Sequence, residues 1–245
     1  MIKDLLAALR FLSILPAGKQ HGFTGHRMVP YFPLVGLLLG VFVALGDIFL
    51  CRIFSIPVAS LIDVLLLAVV TGGLHLDGLA DTADGIFSHK TPEEALRIMK
   101  DSRVGTMGIL ALVFVLAIKW AGISSIYGHR SLCLIIIPAY ARAAFTVAIY
   151  FLDYIRPEGG TGAAFFGTKK DISGLAYIVI PIGISVLIGP KTILLNCAFI
   201  AVVGLVVLYY KKRFGGVTGD MLGALGEVTE TVLFLSLGIG GVSFF

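Results

Sequence analysis

Residues 72–85 read Gly-Gly-Leu-His-Leu-Asp-Gly-Leu-Ala-Asp-Thr-Ala-Asp-Gly and follow directly on a long apolar run. Three carboxylates therefore stand at the mouth of a membrane segment. If the stretch is helical, Asp77, Asp81 and Asp84 recur at i, i+4 and i+7 and fall within an arc of about 60°. Like charges stacked on one stripe repel unless something neutralises them. A hard divalent cation does this best: Mg²⁺ takes oxygen ligands, keeps several waters and completes its shell with substrate phosphate. The competing reading is a solvated polar loop between two membrane helices, although such loops seldom stack acids with only Gly, Ala, Thr and Leu between them. His75, beside the acids, suits a general base, a group behind the metal ligands or a packed imidazole.

Two further polar clusters can join this stretch. Lys100-Asp101-Ser102-Arg103 offers two cations for phosphate oxygens, the arginine as a bidentate fork. Asp101 or Ser102 can equally cap the helix that follows. The third cluster is residues 215–227, where Gly215, Gly216 and Gly219 let backbone approach a ligand, with Thr218 and Gly219 as candidate contacts. Asp220 and Glu227 are seven apart, so they share a helix face and are candidate metal ligands; Asp220 is also a candidate N-cap. Glu227 lies about two turns inside an apolar helix, where a bare charge is costly and usually functional, and Glu230 lies a turn further in. Arg142, mid-way along another apolar run, is either a partner for Glu227 or Glu230 or an anion contact in a substrate cavity. His21 and His26 sit in a polar linker and are more simply solvated than metal-bound.

Carboxylates for metal, cations for phosphate and glycines for close approach suit metal-assisted phosphoryl transfer at a membrane surface. No GxxxxGK[ST] occurs, which excludes a P-loop ATPase. An ion-coupled transporter using Glu227, Glu230 and Arg142 is the main rival, but paired repeats are lacking and the acids cluster at one face rather than the midplane. An intramembrane aspartyl protease would need two aspartates facing each other within the bilayer.

The elements that must position these groups are membrane helices. The 245 residues are 58% hydrophobic and 14% charged, with mean hydropathy +0.99, against about 45–50% apolar and about 25% charged in a soluble domain. We expect an all-α, polytopic membrane protein forming one domain over 1–245, with an interfacial helix and linker at 1–29 and a bundle at 30–245. Ile2, Leu5, Leu6, Leu9 and Leu12 recur at helical spacing, so residues 2–15 read as an amphipathic helix in the interface rather than a secretory signal. Seven spans are expected, near 31–50, 58–74, 104–126, 132–152, 173–188, 192–210 and 221–245; the fifth is short and interrupted by Pro181 and Gly183. Thr91-Pro92-Glu93-Glu94 is a capping-box pattern for a short helix to about residue 100. Cys51, Cys133 and Cys197 have neither paired nor metal-site spacing and read as packing residues. The net charge of +4 reflects loop topology and anionic lipid, not nucleic acid. Most Lys and Arg fall in the N-terminal segment, the loop after the acids, residues 153–171 and residues 211–213, which places the N-terminus and the acidic loop in the cytoplasm.

At these residues the sequence strongly resembles the cobalamin synthases (adenosylcobinamide-GDP ribazoletransferases). The resemblance rests on Phe32-Pro33-Leu34-Val35-Gly36, GGLHLDGLADTADG at 72–85, MKDSRVGTMG at 99–108, Ala141-Arg142 and TGDMLGALGEVTE at 218–230. It implies an Mg²⁺-dependent enzyme of the cytoplasmic membrane of a bacterium or archaeon, acting late in cobalamin nucleotide-loop assembly. A ribose hydroxyl of α-ribazole, or of its 5′-phosphate, attacks the phosphorus of adenosylcobinamide-GDP nearest the corrinoid. GMP leaves and adenosylcobalamin or its 5′-phosphate forms. On this footing Asp77, Asp81 and Asp84, with Asp220 and Glu227, are expected to bind Mg²⁺. Lys100, Arg103 and Arg142 are expected to hold the pyrophosphate, beside Asp101, Ser102, Thr218 and Gly219. A carboxylate or His75 takes the hydroxyl proton, and both remain open. The loop at 159–170, with Gly159, Gly160, Gly162 and Lys169, suits a lid or a nucleotide contact. The number of metals and any homo-oligomer are left open.

Overall fold

A computed structural model describes residues 1–17, 25–156, 159–160, 162–166 and 172–239. The described chain is helical, with one isolated bridge pairing Tyr154 and Val217. Helix α1 (Ile2–Leu12) packs Ala8 and Leu12 inward and leaves Ile2 and Leu6 exposed, as an interfacial helix requires. A single turn, α2 (Gly25–Met28), and a 3₁₀ turn lead into α3 (Phe32–Leu50). Then come α4 (Ile56–Val70), α5 (Leu74–Ile86) and α6 (Pro92–Ile98). Helix α6 has the expected capping box, Thr91 Oγ1 accepting from the Glu94 N–H while Glu94 accepts from the Thr91 N–H. Helices α7 (Thr106–Ser124) and α8 (Arg130–Phe151) follow, then a broken segment around α9 (Val179–Ser185), and finally α10 (Lys191–Phe214) and α11 (Gly219–Gly238).

Among the described residues five helical segments are long and apolar enough to cross a membrane, and a sixth is reached only if the bent pair α4–α5 counts as one span. This differs from the seven expected. Helix α4 has only 15 residues, and residues 172–188 divide into 3₁₀, α and 3₁₀ pieces. That divided segment still carries the chain between ends of the bundle. Tyr177 stacks near Tyr31 at one end, and Ser185 accepts from Thr192 and Asn196 toward the other. At about 2.0 Å per 3₁₀ residue and 1.5 Å per α residue it spans about 30 Å.

Helices α8 and α11 are central, with 83% and 78% of their most apolar stretches buried; α7 and α10, at 22% and 17%, face outward to lipid. Gly36 and Gly40 of α3 meet the α8 backbone at Pro138–Ala139 and Leu134–Ile135, a small-xxx-small contact that a Cβ would block. At one end Arg130 ties three helices together. Its guanidinium binds Asp47 of α3 at 2.8–3.0 Å and Asp63 of α4 at 2.7 Å. At the other end the chain turns sharply. Gly72 and Gly73 adopt φ of +62° and +71°, and α5 leaves α4 at 89°. The acidic helix thus runs across the end of the bundle, outside the spans.

Candidate active site

Helix α5 carries all three expected aspartates, but their neighbours differ. Asp84 turns to α7, where its oxygens accept the Gly105 N–H at 2.6 Å and the Gly108 N–H at 2.8 Å. These are donors at the start of α7 without partners in their own helix, so Asp84 is a cap supplied by another element. A Cβ on Gly105 or Gly108 would collide with that carboxylate. The capping expected of Asp101 or Ser102 is therefore performed by Asp84. Asp101 accepts the backbone N–H and the guanidinium of Arg103, the shortest bond being 2.6 Å, and this holds its carboxyl down to about 2. Arg103, Ser102 and Lys100 lie exposed on this loop.

Helix α5 crosses the start of α11 with almost no gap. A Cβ on Gly78 would lie 2.7 Å from the Asp220 carbonyl oxygen, and one on Gly223 would lie 3.2 Å from the His75 backbone. This crossing brings Asp220 to the acidic stretch. Burial first, then the charges of Asp77, Asp220 and Asp84, push the Asp81 carboxyl up to about 6. Asp220 is not the N-cap of α11. Thr218 is, accepting the Met221 N–H at 3.3 Å with its side chain buried, so the substrate contact expected of Thr218 has a structural alternative. Asp220 instead pairs with Arg156 at 2.5 Å. Arg156 is placed there because Val217 bonds across to Asp153 and Ile155 in a short parallel bridge.

Glu227 lies elsewhere. It accepts from Lys119 of α7 at 2.6 Å; Glu230 accepts from Lys119 at 2.8 Å and from Arg142 of α8 at 3.1 Å. All four are buried, and the two positive and two negative charges cancel, which makes burial tolerable. Glu227, expected as a metal ligand, and Arg142, expected as a pyrophosphate contact or a partner for Glu227 or Glu230, thus lie in one interior ion-pair network in this arrangement. Arg142 Nη2 also stands 3.5 Å from His75 Nδ1. Burial first, then the charges of Arg142 and Lys119, push the His75 imidazole well below its ordinary pKa, so the ring is held neutral.

Between α1, α5, α8 and α11 opens a cavity of about 650 Å³, counting the part open to solvent. Its lining mixes Phe11, Phe32, Phe145 and Phe165 with His75, Asp77, Arg156 and Asp220, and Gly219 and Gly162 also line it. Among the described residues no three His, Cys, Asp or Glu side chains form a metal cage. The donor set nevertheless fits Mg²⁺. It is all carboxylate oxygen, the negative charge around Asp81 is incompletely balanced, and Mg²⁺ usually takes one or two carboxylates plus water and phosphate. Arg156, Lys119 and the four phenylalanines were not singled out from sequence. Lys119, a lysine inside an apolar helix, was the one with a readable signal. His26 is exposed on α2, whereas His21 and Lys169 lie outside the described residues.

The sequence model of a family described as Cobalamin-5-phosphate synthase matches residues 4–238. The chain is 35% identical to an adenosylcobinamide-GDP ribazoletransferase of Clostridium novyi, covering 96% of both proteins. It is 39% identical to one of Desulforamulus reducens over 97% of both. It is 38% identical to one of Klebsiella pneumoniae over 97% of this chain and 100% of the relative. No solved structure matches it.

Proposed function

The chain belongs to the cobalamin-5-phosphate synthase family, and from that premise we propose that it is a membrane adenosylcobinamide-GDP ribazoletransferase dependent on Mg²⁺. The observation that carries the reading is that Asp77, Asp220 and Arg156 line one cavity, while Asp81, one turn along α5 from Asp77, feels the charges of Asp77 and Asp220. Full-length relatives named for this transfer favour it over an ion-coupled transporter. So does the pairing of Glu227, Glu230 and Arg142 within a neutral interior network.

In the proposed reaction a ribose hydroxyl of α-ribazole, or of its 5′-phosphate, forms a new P–O bond to the phosphorus next to the corrinoid. The P–O bond to GMP breaks, GMP leaves with the bonding electrons, and adenosylcobalamin or its 5′-phosphate forms. Asp77, Asp81 and Asp220 would hold Mg²⁺, which when bound supplies charge neutralisation for the pyrophosphate. Arg156 swings from Asp220 to phosphate oxygens, and Lys100 and Arg103 extend the cationic surface along the neighbouring loop. An acid of this patch accepts the hydroxyl proton. His75 lines the cavity beside these acids, and Asp84 keeps α7 docked on α5. We place this end of the bundle in the cytoplasm, because the loops rich in Lys and Arg lie on its side.

The test is GMP release from adenosylcobinamide-GDP by purified protein in liposomes. Release should need both α-ribazole and Mg²⁺ and stop with excess chelator. Release that ignores α-ribazole, or none from folded protein, would overturn the proposal.

A further inference from the structure

Tyr154 lines the cavity together with Arg156 and Asp220. We propose that its hydroxyl is a second donor, beside the Arg156 guanidinium, for the pyrophosphate of adenosylcobinamide-GDP. This rests on the transferase reading above. The placement follows from the backbone. Ile155 donates its N–H to the Val217 carbonyl at 3.2 Å, and Val217 donates to the Asp153 carbonyl at 2.9 Å, so Tyr154 is bridged directly to Val217. Side chains alternate along such extended chain. Ile155 turns onto Gly216, where a Cβ would lie 2.4 Å from its Cγ2. Tyr154 and Arg156, two residues apart, both turn to the cavity.

The side chain is held at a defined point. Its ring lies 5.2 Å from that of Phe166, and a Cβ on Gly162 would come within 3.2 Å of its Cε2. A Cβ on Gly160 would lie 2.6 Å from the Tyr154 hydroxyl, 3.6 Å from Arg156 Cδ and 3.9 Å from Arg156 Nη1. Hydroxyl and guanidinium therefore flank one spot, and glycine at 160 keeps it clear. Among the described residues the hydroxyl has no hydrogen-bond partner, whereas Arg156 is held by Asp220 at 2.5 Å. Burial pushes the phenol above its ordinary pKa, with the charge of Arg156 opposing this and that of Asp220 adding to it. The group thus keeps its proton at neutral pH and serves as a donor, not as the base. A neutral O–H beside a guanidinium matches an oxyanion, since each can donate to a different oxygen and bonds to charged acceptors are the strong ones. α-Ribazole carries no anion, so the contact discriminates between the two substrates.

The experiment measures kcat and KM for adenosylcobinamide-GDP, α-ribazole and α-ribazole 5′-phosphate in wild type and Tyr154→Phe, which keeps the ring and removes only the hydroxyl. A hydrogen bond to a charged acceptor corresponds to about tenfold or more in affinity. For adenosylcobinamide-GDP, kcat/KM should fall by about that factor, while KM for α-ribazole and for its 5′-phosphate moves by less than about twofold. Unchanged values would overturn the proposal. A rise confined to KM for α-ribazole 5′-phosphate would overturn it too, by assigning the hydroxyl to the other phosphate. The Arg156→Met background separates a substrate contact from a mere prop for Arg156. There Tyr154→Phe should again lower kcat/KM for adenosylcobinamide-GDP, and no further loss would overturn the contact. Should wild type show no turnover, the same comparison is made by calorimetric titration with inorganic pyrophosphate and Mg²⁺. Binding about tenfold weaker in Tyr154→Phe than in wild type would then sink the transferase reading and keep the contact; equal or absent binding would sink both. Turnover by wild type that Tyr154→Phe leaves unchanged would sink the contact alone.

Discussion

Asp81 and Asp84 lie three residues apart on one helix and are chemically identical, yet the structure gives them energies of opposite sign. Asp84 satisfies two backbone donors at 2.6 and 2.8 Å. A hydrogen bond to a charged group contributes about 1.5–3 kcal/mol, and Asn would turn an amino group toward one of the donors, so Asp84→Asn should cost about 2–3 kcal/mol. Asp81 is surrounded by like charge, with its carboxyl raised to about 6 from 3.8. At 1.36 kcal/mol per unit that is roughly 3 kcal/mol, which solvent screening of this half-exposed group reduces to about 1 kcal/mol. The sign follows from the direction. A carboxyl raised on folding carries no penalty below about pH 4, is increasingly penalised as pH rises toward 6, and bears the full penalty above it. At neutral pH, Asp81→Asn should therefore stabilise the metal-free protein by about 1 kcal/mol, or about 2–4 °C in Tm, while Asp84→Asn lowers Tm by about 6 °C. Thermal unfolding in detergent, followed by helical circular dichroism in chelator, reads both. Adding Mg²⁺ should raise Tm of wild type but not of Asp81→Asn, since only a ligand that binds the folded state stabilises it. Equal loss of stability in the two variants would refute this division of roles.

Three other outcomes follow from the geometry. Gly78→Ala places a Cβ 2.7 Å from the Asp220 carbonyl oxygen and so pushes α5 off α11; GMP release should fall about 10²-fold, because small misplacements of reacting groups have effects of that size. Lys119→Met leaves Glu227 unpaired in the interior and should cost about 3–5 kcal/mol in thermal unfolding, whereas the double variant with Glu227→Gln restores charge balance and recovers most of it. Arg156→Met should raise KM for adenosylcobinamide-GDP about tenfold or more, with KM for α-ribazole moved far less.

What the sequence disclosed followed from local chemistry. The i, i+4, i+7 spacing foretold that Asp77, Asp81 and Asp84 share one helix, and α5 is that helix. The capping box at Thr91 held because its partners are three residues apart. The interruption expected at Pro181 and Gly183 falls elsewhere: both lie within α9, and the divisions fall on either side of it. Partners distant in sequence stayed hidden. Nothing local to Asp84 tells that it caps a helix 21 residues on, and nothing around Arg156 tells that a bridge from Val217 will bring it to Asp220. Glu227 read as a ligand because its cost inside a span was visible, while its partner Lys119 lay on a different helix. Among the described residues five helices, or six with the bent pair, meet the length and hydropathy of a span against the seven expected, since α4 is short and bends away at Gly72 and Gly73.

The central claim is that the carboxylates of α5 and Asp220 form one metal-assisted phosphoryl-transfer site. The most direct measurement is GMP release by Asp81→Asn at saturating Mg²⁺ and both substrates, with insertion and Tm checked on the same preparation. Loss of preorganised charge stabilisation of this kind lowers turnover by about 10²–10³-fold or more, and that loss in a well-folded variant is what the account predicts. Wild-type turnover in Asp81→Asn would contradict it.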